Sequence, residues 1–102
     1  MNKFLNLLGM ARKAGKLALG FTAVSLAVKR GRAVLVLLAT DTSTYTREKM
    51  ERLCRRHQVS LYYVANRYEL GRALGKTSQA VVALLSPEIG EALKAQLTAR
   101  TE

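Results

Sequence analysis

Few residues in this chain have the chemistry to catalyse a reaction, and their spacing argues against most reactions. There is one histidine, His57, and one cysteine, Cys54, three positions apart. A Cys-His nucleophile pair needs a third group to orient the imidazole and a cleft to hold substrate, and the sequence suggests neither. The same spacing fits one helix near its C-terminus, with Cys54 in the core and His57 in the last turn, where positive charge suits the helix dipole. A metal site would need further cysteine or histidine ligands, so no metal is expected. Asp41, followed by Thr42, Ser43 and Thr44, imitates the strand-end carboxylate and hydroxyls of a phosphate or magnesium site. It lacks a Gly-x-x-x-x-Gly-Lys loop, so helix capping is the better reading. The expectation is therefore no enzyme activity, no cofactor and no small-molecule substrate.

Binding chemistry is better represented. The chain carries 17 Lys and Arg against 7 Asp and Glu, a formal charge of +10, and a pI near 10.4. Such an excess selects for nucleic acid, an acidic protein or an anionic membrane. The first forty residues contain no acid at all, and Lys13, Lys16, Lys29, Arg30 and Arg32 supply most of their charge. Within that stretch the chain turns at Gly20 from a short strand into a helix. An uncovered helix start presents free backbone N–H groups and the positive end of the dipole, which together attract anions. A second glycine-flanked loop, Gly75-Lys76-Thr77-Ser78-Gln79, precedes the last strand and in an alternating fold could lie beside this corner. The candidate site is accordingly Gly20, Phe21, Thr22 and Ala23 with Lys76, Thr77, Ser78 and Gln79, and with Lys13, Lys16, Lys29, Arg30 and Arg32 on phosphates.

The helix expected from Thr44 to His57 is also basic, with Arg47, Lys49, Arg52, Arg55 and Arg56. Glu48 and Arg52, and Glu51 and Arg55, stand at i,i+4 in the favourable order, so a solvated, self-paired face is expected. Tyr62 and Tyr63 point to opposite sides of one strand and cannot form a joint stacking platform. One of them belongs in the core, while Tyr45, Tyr62 and Tyr68 are the tyrosines with a chance of meeting a base.

The elements that must position these residues alternate along 102 residues. Asn2 to Ala14 reads as a helix with Phe4, Leu5, Leu8 and Ala11 on one face, ended by Gly15. Residues 16–20 form a short strand, and Phe21 to Arg30 a helix that buries Val24, Ala27 and Val28, with Gly31 at its left-handed end. The apolar run from Ala33 to Ala39 is a buried strand. In the next helix Met50, Leu53, Cys54 and His57 share a face; a strand follows at 59–64. Asn66-x-x-Glu69 is a capping pattern for a helix ending at Gly75. Residues 80–85 form the last strand, and Ser86-Pro87-Glu88 opens the final helix. The pattern predicts an α/β fold: a three-layer α/β/α sandwich around a four-stranded mixed sheet, in a single domain spanning 1–102.

With a hydrophobic fraction of 49% the chain can fold without disulfides or metals. A lone cysteine points to a reducing compartment. The longest apolar run, 33–39, is too short to span a membrane. Asn6, Gly9 and Arg12 interrupt any signal-peptide core, and the acid-free start merges into patterned structure rather than a transit peptide. The cytoplasm is the expected location.

The order of these pieces resembles the kink-turn-binding ribosomal protein family, over roughly residues 4 to 97. The resemblance rests on Gly20 and the helix to Lys29-Arg30-Gly31, then on Val34 to Asp41, Leu53-Cys54 and Val59-Ser60-Leu61-Tyr62. It continues in Glu69 to Lys76 and Ala80 to Ala83. The opening Leu7 to Lys16 and the compact length are most similar to the bacterial YlxQ branch of that family. The resemblance implies a ribosomal-protein-type sandwich that binds structured RNA, ribosomal or other, seated on the start of the second helix. Better-known members open that helix with Gly-x-Asn-Glu and a Lys three positions on. Here Thr22 stands for the Asn, Ala23 for the Glu and Leu26 for the Lys. An alanine cannot accept guanine N–H groups as a carboxylate does, so kink-turn specificity is expected to be altered or relaxed. The same departure suits an alternative, an adaptor of the same fold that docks an acidic protein.

Overall fold

The computed structural model of the protein describes residues 3–100, with side chains described for 3–97. Nine elements follow the expected alternation. They are α1 (Lys3–Lys13), β1 (Leu17–Leu19), α2 (Phe21–Lys29), β2 (Leu35–Ala39), α3 (Thr44–His57), β3 (Ser60–Ala65), α4 (Arg67–Ala73), β4 (Val81–Leu84) and α5 (Pro87–Arg100). Asn2, the expected first residue of α1, lies outside the described residues. The second strand, expected at 33–39, begins only at Leu35. Arg32 and Ala33 both donate their amides to the Ala27 carbonyl at the end of α2, so they finish the helix instead of joining the sheet.

The four strands form one mixed sheet in the order β1-β4-β2-β3. β4 pairs antiparallel with β1 and with β2, while β2 and β3 are parallel. The two central strands are buried along their whole length, which is why 33–39 reads as a continuous apolar run rather than an alternating one. Alternate residues nevertheless serve opposite layers. Leu35, Leu37, Ala39, Val82 and Leu84 meet Phe4, Leu5, Leu8 and Ala11 of α1, Leu70 of α4, Leu74 after it, and Leu93 and Leu97 of α5. Val36, Leu38, Val81 and Ala83 meet Val24 and Val28 of α2 and Met50 and Cys54 of α3. The sandwich therefore has three helices on one face and two on the other. Each of the valine, leucine, phenylalanine and methionine side chains among them, fully buried, is worth about 1.5–3 kcal/mol.

The register decides where the loops go. Leu17, Leu84, Leu35 and Ser60 stand side by side at one end of the sheet. At the other end, the Gly20 amide donates to Val81, the Ala39 amide to Ala80 and the Thr40 amide to Ala65. Because α2, α3 and α4 all follow strands that finish at this second end, their N-termini gather there.

Candidate functional site

Three helix N-termini at one end of a sheet would form a general anion trap, but the sequence closes two of them. Ser43 caps α3, its hydroxyl accepting from the Thr46 amide at 3.1 Å. Asn66 and Glu69 form a complete capping box on α4. Asp41 reaches the same helix from the β2–α3 connection: its carboxylate accepts from the Arg67 amide at 2.9 Å and lies 3.9 Å from the Arg67 guanidinium. The capping role expected for Asp41 is thus served on α4 and not on α3. The start of α2 is different. Its N-cap is Gly20, which makes no side-chain cap, and Phe21, Thr22 and Ala23 are all exposed.

Gly20 has φ +94° and ψ 163°, a region essentially restricted to glycine. This conformation lets the chain leave β1 and enter α2 at once, while the Gly20 amide binds the Val81 carbonyl at 3.0 Å. The Gln79 side-chain amide donates to the same carbonyl, also at 3.0 Å. One oxygen therefore ties the α2 corner to the 76–79 loop, two segments almost sixty residues apart in sequence.

The loop itself is seated on α4. The Lys76 amide donates to Gly71 at 2.7 Å and the Gln79 amide to Arg67 at 2.9 Å. Between these tethers Ser78 lies against Gly71, where a Cβ would fall 2.5 Å from the Ser78 Cα. Lys76, Thr77 and Ser78 remain exposed and Gln79 is half-buried.

The remaining residues named from the sequence are not gathered at this corner. Lys13 lies on the α1–α4 side, in a groove shared with Arg72 and Gly75. Arg12 beside it donates to the Leu74 carbonyl. Lys29 is at the far end of α2, about 13 Å from Gly20 along a helix of nine residues. Lys16, Arg30 and Arg32 belong to the opposite end of the sheet, where the Lys16 carbonyl accepts from Leu85 and the Val34 amide binds Leu84.

Among the described residues there is no group of three or more His, Cys, Asp or Glu side chains able to hold a metal, and no helix long and apolar enough to cross a membrane. Cys54 is buried and free, and burial pushes its thiol up to about 11. A thiol held protonated is a poor nucleophile. His57 is exposed in the last turn of α3.

The chain belongs to the ribosomal protein L7Ae/L30e/S12e/Gadd45 family. That family's model matches residues 2–95, and the resemblance read from the motifs is borne out. The RNA-binding protein YlxQ of Bacillus subtilis is 38% identical over 78 residues, covering 76% of this chain and 78% of that protein, which supports the YlxQ-like branch. A Bacillus halodurans protein of unknown function superimposes with a TM-score of 0.90 at 35% identity, over 93% of this chain and 96% of its own. The Giardia lamblia 15.5kD RNA binding protein shares the fold, with a TM-score of 0.80 at 20% identity over 94% of this chain and 82% of its own. The α/β/α sandwich with a mixed four-stranded sheet stands as expected.

Two features here are not legible in the sequence. Arg67 sits at the corner's edge, its guanidinium 5.0 Å from the Tyr68 ring centre and its side chain donating to the Tyr68 hydroxyl at 3.1 Å. The α3 ion pairs do not form as expected. Among the described residues the single ion pair within 4 Å is Arg67–Asp41, and Glu51 instead accepts from the Tyr63 hydroxyl across the sheet edge. Tyr63 is exposed and Tyr62 packs on the core, which resolves which of the two faces inward. The i,i+4 spacing carried no sign of the competing phenol, because Tyr63 reaches Glu51 only once β3 packs beside α3.

Proposed function

We propose that this chain is a non-catalytic, cytoplasmic RNA-binding protein of one domain that seats a structured RNA, ribosomal or other, on the Gly20 corner and loop 76–79. The observation that carries this reading is the shared Val81 carbonyl, which makes the two segments one continuous surface. The uncapped start of α2, the +10 charge and the YlxQ relative support it. Free amides at Thr22 and Ala23 and the helix dipole would accept phosphate or base oxygens. Thr77 and Ser78 would offer hydroxyls, and Lys76 a cation, from the loop that Gln79 ties to this corner.

Thr22, Ala23 and Leu26 remove the polar side chains that would read sheared G·A pairs. Affinity is then expected to come mainly from backbone and phosphate, with relaxed kink-turn specificity. Lys13, Lys16, Arg30 and Arg32 would serve as outlying phosphate contacts for an RNA that extends past the corner. The test is a titration at two salt concentrations against a kink-turn, the same hairpin with its G·A pairs replaced, and a plain duplex. Steep salt dependence on all three, with at most a modest preference for the kink-turn, is the expected result. No binding at low salt would remove the reading.

The loss of the three polar side chains at 22, 23 and 26 also favours a second reading, an adaptor that docks an acidic protein. Material purified without nuclease separates the two: an RNA binder of this charge carries RNA and a high ratio of absorbance at 260 to 280 nm.

A further inference from the structure

A groove of about 310 Å³ runs between α2 and α3 from their first turns. Phe21 and Tyr45 stand at its upper end with ring centres 6.2 Å apart and planes inclined by 26°. They are 36% and 65% exposed, so aromatic surface is left open to solvent. The Lys49 ammonium lies 5.4 Å from the Tyr45 ring centre. Lys29, Arg52 and Arg56 line the groove with them, and no acidic residue does. Four cations crowded round one depression repel each other, and among the described residues no acid of α3 forms an ion pair with them: Glu51 accepts from Tyr63, and Glu48 is not paired with Arg52. Phe21 is the first residue of α2 and follows Gly20 directly, so the groove opens onto the corner described above.

Aromatic faces beside a track of cations are the arrangement that holds single-stranded nucleic acid: bases stack and phosphates follow the charge. We propose that this groove binds a single-stranded RNA segment continuous with the structured RNA at the corner. Its first bases stack on Tyr45 and Phe21, and its phosphates pass along Lys49, Arg52, Arg56 and Lys29. The inference rests on the RNA-binding reading and extends it to a second class of RNA structure, an unpaired flank. It gives the basic face of α3, which forms no ion pairs among the described residues, a ligand.

The experiment measures affinity of the full chain for a blunt kink-turn hairpin and for the same hairpin carrying an unpaired adenosine tail at its 5′ or 3′ end. The readout is the ratio of the two affinities at fixed salt, set against that for an abasic tail of equal length, which adds the same phosphates without a base to stack. For the wild type one tail strengthens binding by about 10-fold, a value within the range of a single base–aromatic stack. Tyr45→Ala and the pair Arg52→Gln with Arg56→Gln each bring the ratio to near one, whereas Tyr45→Phe keeps it. These side chains are exposed, and a melting curve for each variant verifies folding. If the hairpin binds but neither tail adds affinity, the groove assignment falls while the RNA-binding reading stands. If neither RNA binds, both fall. Polyglutamate that binds the wild type and is lost in Arg52→Gln with Arg56→Gln, with no gain from a tail, would make the groove a dock for an acidic protein and overturn the proposal. Free AMP binding as tightly as the tail adds would make it a mononucleotide pocket, and would overturn it equally.

Discussion

Gly71→Ala is the substitution that tests the site's construction most directly, because two physical effects oppose each other there. Gly71 lies inside α4, and an alanine in a helix interior is favoured over glycine by about 0.8–1 kcal/mol. The added Cβ, however, would stand 2.5 Å from the Ser78 Cα, 2.7 Å from its nitrogen and 2.9 Å from its carbonyl carbon. All three are backbone atoms, so no side-chain rotation relieves the contact. Carbon atoms pack at about 3.5–4.0 Å, so the loop must retreat by roughly 1 Å. It is held by Lys76 to Gly71 at 2.7 Å and by Gln79 to Arg67 at 2.9 Å, and such a shift breaks at least one of them. A lost hydrogen bond costs about 0.5–1.5 kcal/mol and forced overpacking about 1–3 kcal/mol. After subtracting the helix gain, a net loss of about 1–3 kcal/mol is expected, or roughly 5–20 °C in Tm for a domain of this size. Urea unfolding followed by circular dichroism measures it, and Ala95→Gly on the exposed side of α5 gives the bare propensity for comparison. RNA affinity should fall as well, since the displaced loop carries Lys76 to Gln79. A Gly71→Ala protein as stable as the wild type, or more so, would refute the loop's seating on α4.

Further outcomes can be measured in the same way. Gly20→Ala has room for its methyl group but must adopt φ near +94°; it should lose about 1–3 kcal/mol of stability from backbone strain alone and weaken RNA binding in the titration. Asp41→Ala removes the acceptor of the Arg67 amide and should cost about 1–2 kcal/mol in urea unfolding, while Asp41→Asn, which keeps an acceptor, costs less than half of that. Cys54, raised from 9.0 to about 11, should react with a disulfide reagent at pH 8 about 100-fold more slowly than an unhindered thiol of ordinary acidity, from its thiolate fraction alone; equal rates would show that it is not buried. Because its folded value is raised, the Cys54 thiol favours the native state fully below about pH 9, and that contribution is lost as pH rises through 11. Cys54→Ala should therefore flatten the stability profile between those values. Tyr63 acts in the same direction at slightly higher pH: desolvation, then the hydrogen bond to Glu51, push its phenol up to about 12.

What the sequence determined by itself was nearly everything that depends on neighbours within a turn or a pleat. Period-3.6 spacing identified Phe4, Leu5, Leu8 and Ala11 as the buried face of α1, and Val24, Ala27 and Val28 as that of α2. The Asn66–Glu69 box was legible because both partners lie three residues apart. The apolar run 33–39 announced a strand covered on both sides, although only the structure showed that Arg32 and Ala33 finish α2 first. Gly20 and the loop 76–79 could be singled out by composition, but their union could not. It required β4 to pair antiparallel between β1 and β2, which brings Val81 to the Gly20 amide. Tertiary structure alone decided the partners of long side chains. Glu51 has Arg55 one turn away, yet the phenol of Tyr63 holds it; Asp41 bypasses the helix that follows it and caps the one after. Phe21 and Tyr45 become neighbours only because α2 and α3 cover the same face of the sheet. Local patterns report which face of an element is apolar, since that is a property of the element. Which charged or aromatic groups meet depends on register and layer order, and these follow from pairings between residues far apart in the chain.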